Sequence, residues 1–535
     1  MNRPLHRLFQ GATVVVLCAA ATAQFTPLTQ IPAPEITASA PAYPGGSFGP
    51  GRLLDDDPKT EFAADGAAGE LFVEFRFAES ARVAAFRHVD RNDPATIAAS
   101  ELVFMDDKGK TVATVPVTHA NERGARTVVS LPEPVTAQRV KWRVTQLGPD
   151  GHRTVGGAEI AFFTAGAPEA APTADTLTVK QFPILARSDA GPVQTLHVTV
   201  THPYAEAADA VLHLDGAAPQ PLRLEFGAQE VALAAPEAAA ETVAVAELEV
   251  AGARVGRTEV PRRPVRPLTV YVLPHSHTDI GYTEIQTEIE DKQVQNLLSG
   301  MEIARRTADY PEGSRFVWNV EVLWAADLFL QRLGENGRKQ LFDAVKAGQV
   351  SLNGMYLNEL TGLCRPEELL RLFRMATQMT GETGVPVEAA MISDVPGYTW
   401  GTVPAMAHAG IRYFSVAPNY FDRIGDILVQ WENKPFYWVG PDGTSRVLVW
   451  IPFWGYAMSH RYREMSPKLV EDFCEGLAKR DYPYEIAYVR WAGYGDNAVP
   501  DPSICDFIRD WNAAHVSPKF VISSTAEAFR AFEER

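Results

Sequence analysis

Five consecutive residues, His275-Ser276-His277-Thr278-Asp279, carry the densest potential chemistry of this chain. They follow an apolar run, residues 268–273, that reads as a buried strand. On extended backbone alternate side chains point the same way, so His275, His277 and Asp279 share one side. Imidazole nitrogen and carboxylate oxygen together suit zinc or a similar divalent ion. The plainer alternative is a strand-end loop whose histidines bond neighbouring backbone. Either way, two or three donors do not complete a metal site.

A second apolar strand, residues 388–393, stops at Asp394, and Val395-Pro396-Gly397 then forces a turn. In parallel α/β sheets the carboxyl ends of the strands form the site. That rule sets Asp394 across the rim from His277 and Asp279 and supplies a further carboxylate. The alternative is Asp394 as the N-cap of the next helix.

The His-Ser-His-x-Asp-x-Gly-aromatic segment is followed in order by Lys346-Ala347-Gly348-Gln349-Val350 and by the Asp394 loop with Ala409-Gly410-Ile411 after it. Gly495-Asp496-Asn497 completes the series. Together these resemble the N-terminal catalytic domain of the family 38 glycoside hydrolases, the retaining α-mannosidases, from about Leu268 to the C-terminus. The resemblance implies a zinc ion, or another divalent metal, held by His277, Asp279 and Asp394. It also implies Asp394 as nucleophile, Asp496 as acid/base and a mannose-containing glycan as substrate. Such chemistry needs two carboxylates about 5 Å apart, and a metal beside the nucleophile can grip vicinal hydroxyls of a strained sugar ring. Tyr282, Trp400, Trp454 and Tyr494 offer faces on which that ring stacks. Asn319 and Glu321, at the end of another strand, are placed to orient a ligand histidine.

Three departures accompany the resemblance. The family's fourth metal ligand, a histidine in a later helical region, has no counterpart before Arg535. Val-Pro-Gly-Tyr follows Asp394 where an α-mannosidase typically carries Pro-Phe-Gly-His. Asp496-Asn497 stands where the family has paired aspartates. Two other functions therefore stay open: a carbohydrate-binding protein whose barrel has lost activity, and a metal-dependent polysaccharide deacetylase. The latter is expected to show an Asp-Asp pair and a His-x3-His segment, which the early motifs lack.

The elements that must position these groups alternate strand and helix from about residue 266 to 535. Ile285, Ile289, Val294, Leu297, Leu298 and Met301 form a helical stripe, and residues 315–320, 446–453 and 486–492 read as strands. Pro366 suits the first turn of another helix, which Gly381 closes. This order implies a mostly parallel sheet, and the resemblance makes it a seven-stranded β/α barrel.

Two all-β sandwich domains precede it. Residues 36–166 hold short alternating strands such as Glu70-Leu71-Phe72-Val73-Glu74-Phe75-Arg76-Phe77. With the 49–62 opening and the closing Gly157-Ala158-Glu159-Ile160, they resemble a discoidin-like, galactose-binding-type jelly roll. Residues 175–260 fit an immunoglobulin-like sandwich. Residues 1–23 read as a secretory signal peptide, with Arg3 and Arg7 before an apolar stretch and a small-residue cleavage site, which predicts a secreted or periplasmic protein. The formal charge of -17 argues against nucleic acid or an anionic membrane as partner. No later segment is long and apolar enough to span a bilayer. Cys364, Cys474 and Cys505 are too few and scattered for a disulfide framework.

Overall fold

The computed structural model describes residues 24–535 apart from 45, 67–68, 420–429, 433, 457 and 463; the expected signal peptide lies outside the described residues. No described helix is long and apolar enough to cross a membrane. Two compact units result. The first takes in the chain up to Lys180 with His197–Leu233 and Val243–Val260; the second takes in Gln181–Leu196, Ala234–Thr242 and Pro261–Arg535. The residues expected to form one sandwich, 175–260, are thus divided between the units.

In the first unit, the alternation of residues 70–77 becomes part of a long strand, Phe72–Val89, whose Val73, Phe75 and Phe77 point into the core. It is central in a seven-stranded antiparallel sheet, pairing with Arg126–Leu147 on one side and Glu159–Ala165 on the other. Trp142 is buried against this core and its ring stacks on His88 at 5.2 Å. His88 sits edge-on to His119 at 4.8 Å, and its Nε2 bonds the Gly156 carbonyl at 2.8 Å. Burial first, then the neighbouring His119, pushes His88 down to about 3, and burial pushes His119 down to about 4.

The second unit alternates strand and helix. Helix Pro467–Lys479 shows why: Ser466 caps it by accepting from the Leu469 N–H at 3.3 Å, and Pro467 occupies the first turn. Leu469, Val470, Phe473 and Leu477 then form a buried stripe at helical spacing. Helix Gln286–Arg306 buries Ile289, Val294, Leu297 and Met301, but Ile285 precedes it and is exposed. The expected Pro366 helix is two helices, Pro366–Arg371 and Arg374–Thr383. Gly384, at φ +72°, ends the second, whereas Gly381 lies inside it; only the former provides the left-handed residue a C-terminus favours. Cys364, Cys474 and Cys505 are free.

The parallel strands fall into three ladders. Thr269–Pro274 is flanked by Ile486–Trp491 and Lys519–Ile522; Trp318–Val320 pairs with Val350–Leu352; Ala389–Ser393, Tyr413–Ala417 and Arg446–Trp450 run parallel, edged by antiparallel Phe436–Val439. A continuous seven-stranded ladder is therefore not formed among the described residues. The middle strands are three residues long, and isolated hydrogen bonds take over at their ends. Asn319 Nδ2 donates to the Pro274 carbonyl at 3.2 Å, and the Gly354 N–H donates to the Ala389 carbonyl at 2.8 Å. Strands 269–274, 318–320 and 389–393 end beside the residues marked out for chemistry.

The paired histidines of the first unit make its stability sensitive to acid. A folded-state pKa below the unfolded value near 6.5 means that stabilisation is lost as pH falls from about 6.5 towards 4. Buried Asp90 and Glu159, raised to about 6 and about 7 chiefly by burial, act in the opposite direction. The contribution of His88 is isolated by comparing wild type with His88→Phe in denaturation curves. The stability difference should shrink by about 2 kcal/mol between pH 7 and 4.5, and a constant difference would contradict it.

Candidate functional site

Strand Ile486–Trp491 is buried at every position, yet it contains an arginine. A charge in such surroundings must be paired and hydrogen-bonded. Arg490 Nη2 donates to Glu321 Oε1 at 2.8 Å, to His275 Nε2 at 2.9 Å and to Ser393 Oγ, while Nη1 donates to the Ile392 carbonyl at 3.0 Å. Neither the Arg490 nor the Glu321 side chain is exposed. Arg490 thus joins the ends of three strands from one position.

Glu321 distributes the charge. Its Oε1 also accepts from Ser393 Oγ. Its Oε2 accepts from the Thr278 N–H at 2.7 Å and Asn358 Nδ2 at 2.9 Å, and lies 3.4 Å from His277 Nδ1. Burial opposes the Glu321 charge, but His277 and Arg490 outweigh it and hold the carboxyl well below the ordinary range. The Thr278 amide and His277 ring are therefore both oriented by one buried carboxylate. Asn319, expected in a similar role, instead accepts from the Thr525 N–H at 3.0 Å and braces the start of helix Thr525–Glu533.

The two histidines of the motif differ. His275 is buried, accepts from Arg490 and is pushed down to about 3, by burial first and the arginine second. It is a neutral structural group. His277 is also buried, which opposes its charge, but Glu321, Asp496 and Asp394 together raise it above its usual value. Its ring meets that of Tyr456 edge-on at 5.0 Å. Asp279 is raised by burial and by the negative charges of Asp496 and Asp394, against the pull of His277. His277, Asp279, Asp394 and Asp496 consequently occupy one electrostatic neighbourhood.

Asp394 leaves its strand at φ +61°, its N–H donating to the Ala417 carbonyl at 3.1 Å, and the next helix begins only at Thr402. It does not cap that helix. Its Oδ1 accepts from Asn419 Nδ2 at 2.7 Å, and the same amide lies 3.3 Å from the Tyr456 hydroxyl. Asp496 follows Gly493 and Gly495, at φ +75° and +94°. A Cβ on Gly493 would stand 2.9 Å from that of Ala498, so this turn admits glycine alone.

Of the aromatic residues singled out in the sequence, Tyr282, Trp400 and Tyr494 are exposed. Trp400 Nε1 donates to the Val439 carbonyl at 2.6 Å. Trp454, at φ +63°, packs on Phe453, and its backbone N–H donates to Glu432. Sequence patterns did not single out Asn358, Asn419, Tyr456 or Arg490. Only Arg490 carried a readable signal, a cation inside an otherwise apolar strand.

The donor chemistry, one imidazole with its Nδ1 turned to a carboxylate and the carboxylates of Asp279, Asp394 and Asp496, suits a divalent cation. Among the described residues, however, no three His, Cys, Asp or Glu side chains are already gathered as a metal cage.

Residues 267–535 match the family model of the glycosyl hydrolases family 38 N-terminal domain. A curated relative, alpha-mannosidase 2 of Drosophila melanogaster, is 24% identical over 198 residues, 36% of this chain and 17% of its own. Among solved structures, an alpha-mannosidase from Enterococcus faecalis V583 is 17% identical at a TM-score of 0.40, covering 50% of this chain and 29% of that one. The family 32 CBM from C. perfringens NanJ, solved in complex with galactose, is 17% identical at a TM-score of 0.21 and covers 26% of this chain and 99% of its own. The chain spans less than a third of the length of the two mannosidases.

The buried pair gives a stability test. Glu321→Ala strands Arg490 without its counter-charge and should cost about 3–5 kcal/mol, as should Arg490→Met in the reverse sense. The double variant Glu321→Leu/Arg490→Met removes both charges and should recover much of the loss. Denaturant unfolding of the three variants checks this; additive costs in the double variant would contradict it.

Proposed function

The chain belongs to the family of the glycosyl hydrolases family 38 N-terminal domain, and from that premise we propose that it is a metal-dependent retaining glycoside hydrolase, α-mannosidase-like, acting on mannose-containing glycans. The observation that carries the proposal is the gathering of Asp394, Asp496, Asp279 and His277 in one charged neighbourhood at strand ends. Family membership favours glycoside cleavage over deacetylation.

In this mechanism the Asp394 carboxylate attacks the anomeric carbon while Asp496 protonates the departing glycosidic oxygen, leaving a glycosyl ester on Asp394. Asp496, now a carboxylate, takes a proton from water; that water attacks the anomeric carbon and releases Asp394. Asn419, bonded to Asp394 Oδ1, holds the nucleophile's carboxylate plane. Tyr282 and Tyr494 offer exposed faces for the sugar, with Trp400 and Trp454 as further candidates. His277, Asp279 and Asp394 would hold a zinc or similar divalent ion. When bound, such an ion supplies positive charge for sugar hydroxyls beside the nucleophile. Glu321 keeps His277 Nδ1 engaged, so that its Nε2 is the nitrogen offered as ligand.

The remaining expectations complete the proposal. Residues 266–535 are read, from the family resemblance, as a seven-stranded β/α barrel. Residues 36–166 are read as a discoidin-like, galactose-binding-type jelly roll and residues 175–260 as an immunoglobulin-like sandwich. With residues 1–23 as a signal peptide, the mature protein would be secreted or periplasmic.

Kinetics on aryl α-mannosides test the assignment. Asp394→Asn should abolish turnover while leaving the melting curve near that of wild type. Asp496→Asn should lose most on poor leaving groups and little on activated aryl glycosides, because only the former need protonation. Equal losses on both would remove Asp496 from the acid role. Wild-type protein inert on every glycoside would favour a carbohydrate-binding protein.

A further inference from the structure

Asn497 occupies the position at which a second carboxylate would be expected beside Asp496, and an asparagine there suggests a lost catalytic group. Its surroundings point elsewhere. Asn497 is 4% exposed and has φ +53°, a left-handed conformation in which asparagine is several-fold enriched. Its carboxamide faces backbone: Oδ1 accepts from the Asp279 N–H at 3.2 Å, and Nδ2 donates to the Asp279 carbonyl at 2.8 Å. The amide orientation is set from both ends. Gln293 Nε2 donates to Oδ1 at 2.8 Å, and Nδ2 donates to Thr283 Oγ1 at 3.3 Å. The Asn497 N–H donates to the His277 carbonyl at 2.8 Å. Nearby, Asn296 Nδ2 donates to the Ala498 carbonyl at 3.1 Å, which also accepts from Ser276 Oγ at 2.9 Å.

We propose that Asn497 is a positioning residue whose carboxamide clamps both backbone polar groups of Asp279, thereby holding the 277–283 loop in register. One residue grips the loop by main-chain atoms of His277 and Asp279. An aspartate cannot replace it. A carboxylate has no donor for the Asp279 carbonyl, so two acceptors would face each other in a buried space, where an unmade hydrogen bond is costly. The position therefore demands an amide, and its amide does not mark a dead enzyme. The kinetic consequence rests on the glycosidase proposed above; the clamp itself does not.

Asn497→Asp separates the two interpretations. A lost carboxylate predicts that this substitution raises glycosidase activity. The clamp predicts a fall in kcat/KM on aryl α-mannosides of about 10- to 100-fold, mostly in kcat, because catalytic groups are displaced without loss of substrate contacts. The independent readout is backbone hydrogen exchange by mass spectrometry. Peptides covering 277–283 should exchange about tenfold faster in the variant, with those of strand 389–393 unchanged. Protection of 277–283 equal to wild type, or a gain in activity, overturns the proposal. If wild type hydrolyses no glycoside, the glycosidase reading fails while exchange still decides the clamp. Should Asn497→Asp not fold, Gln293→Met removes the donor that fixes the amide at nearly constant volume. Faster exchange of 277–283 in Gln293→Met supports the clamp, and wild-type protection there contradicts it.

Discussion

The Glu321–Arg490 ion pair is the interaction on which the meeting of the strand ends depends. Taking two charges out of water is expensive, and their mutual attraction compensates only when the remaining donors and acceptors are also satisfied. Here the remainder is supplied by His275, Ser393, Thr278, Asn358 and the Ile392 carbonyl. His275 and Thr278 follow strand Thr269–Pro274, Ile392 and Ser393 end strand Ala389–Ser393, and Asn358 lies in the loop after Val350–Leu352. The demand to satisfy one buried pair thereby becomes a demand that those ends meet. This matters because, among the described residues, the strands themselves do not form one continuous ladder. Side chains carry the register where backbone pairing stops.

Above this network the charge balance changes sign. Arg490 is engaged by Glu321, while Asp279, Asp394 and Asp496 act together on His277. Asp279 is held above the ordinary carboxylate range by burial and by those two neighbours, and His277 is drawn towards its charged form by the same groups. Carboxylates compressed in this way attract a cation or a proton. A divalent ion and a proton destined for a leaving group are the two species that a retaining metal-dependent glycosidase would bring there.

Much of this was legible in the residues. The apolar runs before His-x-His-x-Asp and before Asp394 are strands, and the alternation of residues 70–77 marks the first sheet. Other features were not legible, for physical reasons. Glycine inside a helix and glycine at its end look alike in a pattern, so the sequence points to Gly381 for the stop that Gly384 makes by adopting positive φ. A lone arginine in an apolar strand is ambiguous until its partners, 169 and 215 residues away, come into contact. Asn497 shows the sharper limit. Residue type alone suggests a missing acid, whereas its hydrogen bonds are those of an amide gripping a peptide group. Whether strands join into one closed sheet is likewise a property of long-range pairing that local periodicity does not encode.

The central claim is that His277, Asp279 and Asp394 form a divalent-cation site beside the proposed nucleophile. Calorimetric titration of zinc into chelator-treated protein addresses it without reference to any substrate. One equivalent should bind per wild-type chain, with binding lost in both Asp279→Asn and Asp394→Asn although their melting curves stay cooperative. Wild-type protein that binds no zinc, manganese or calcium, or variants that bind as wild type does, would contradict it.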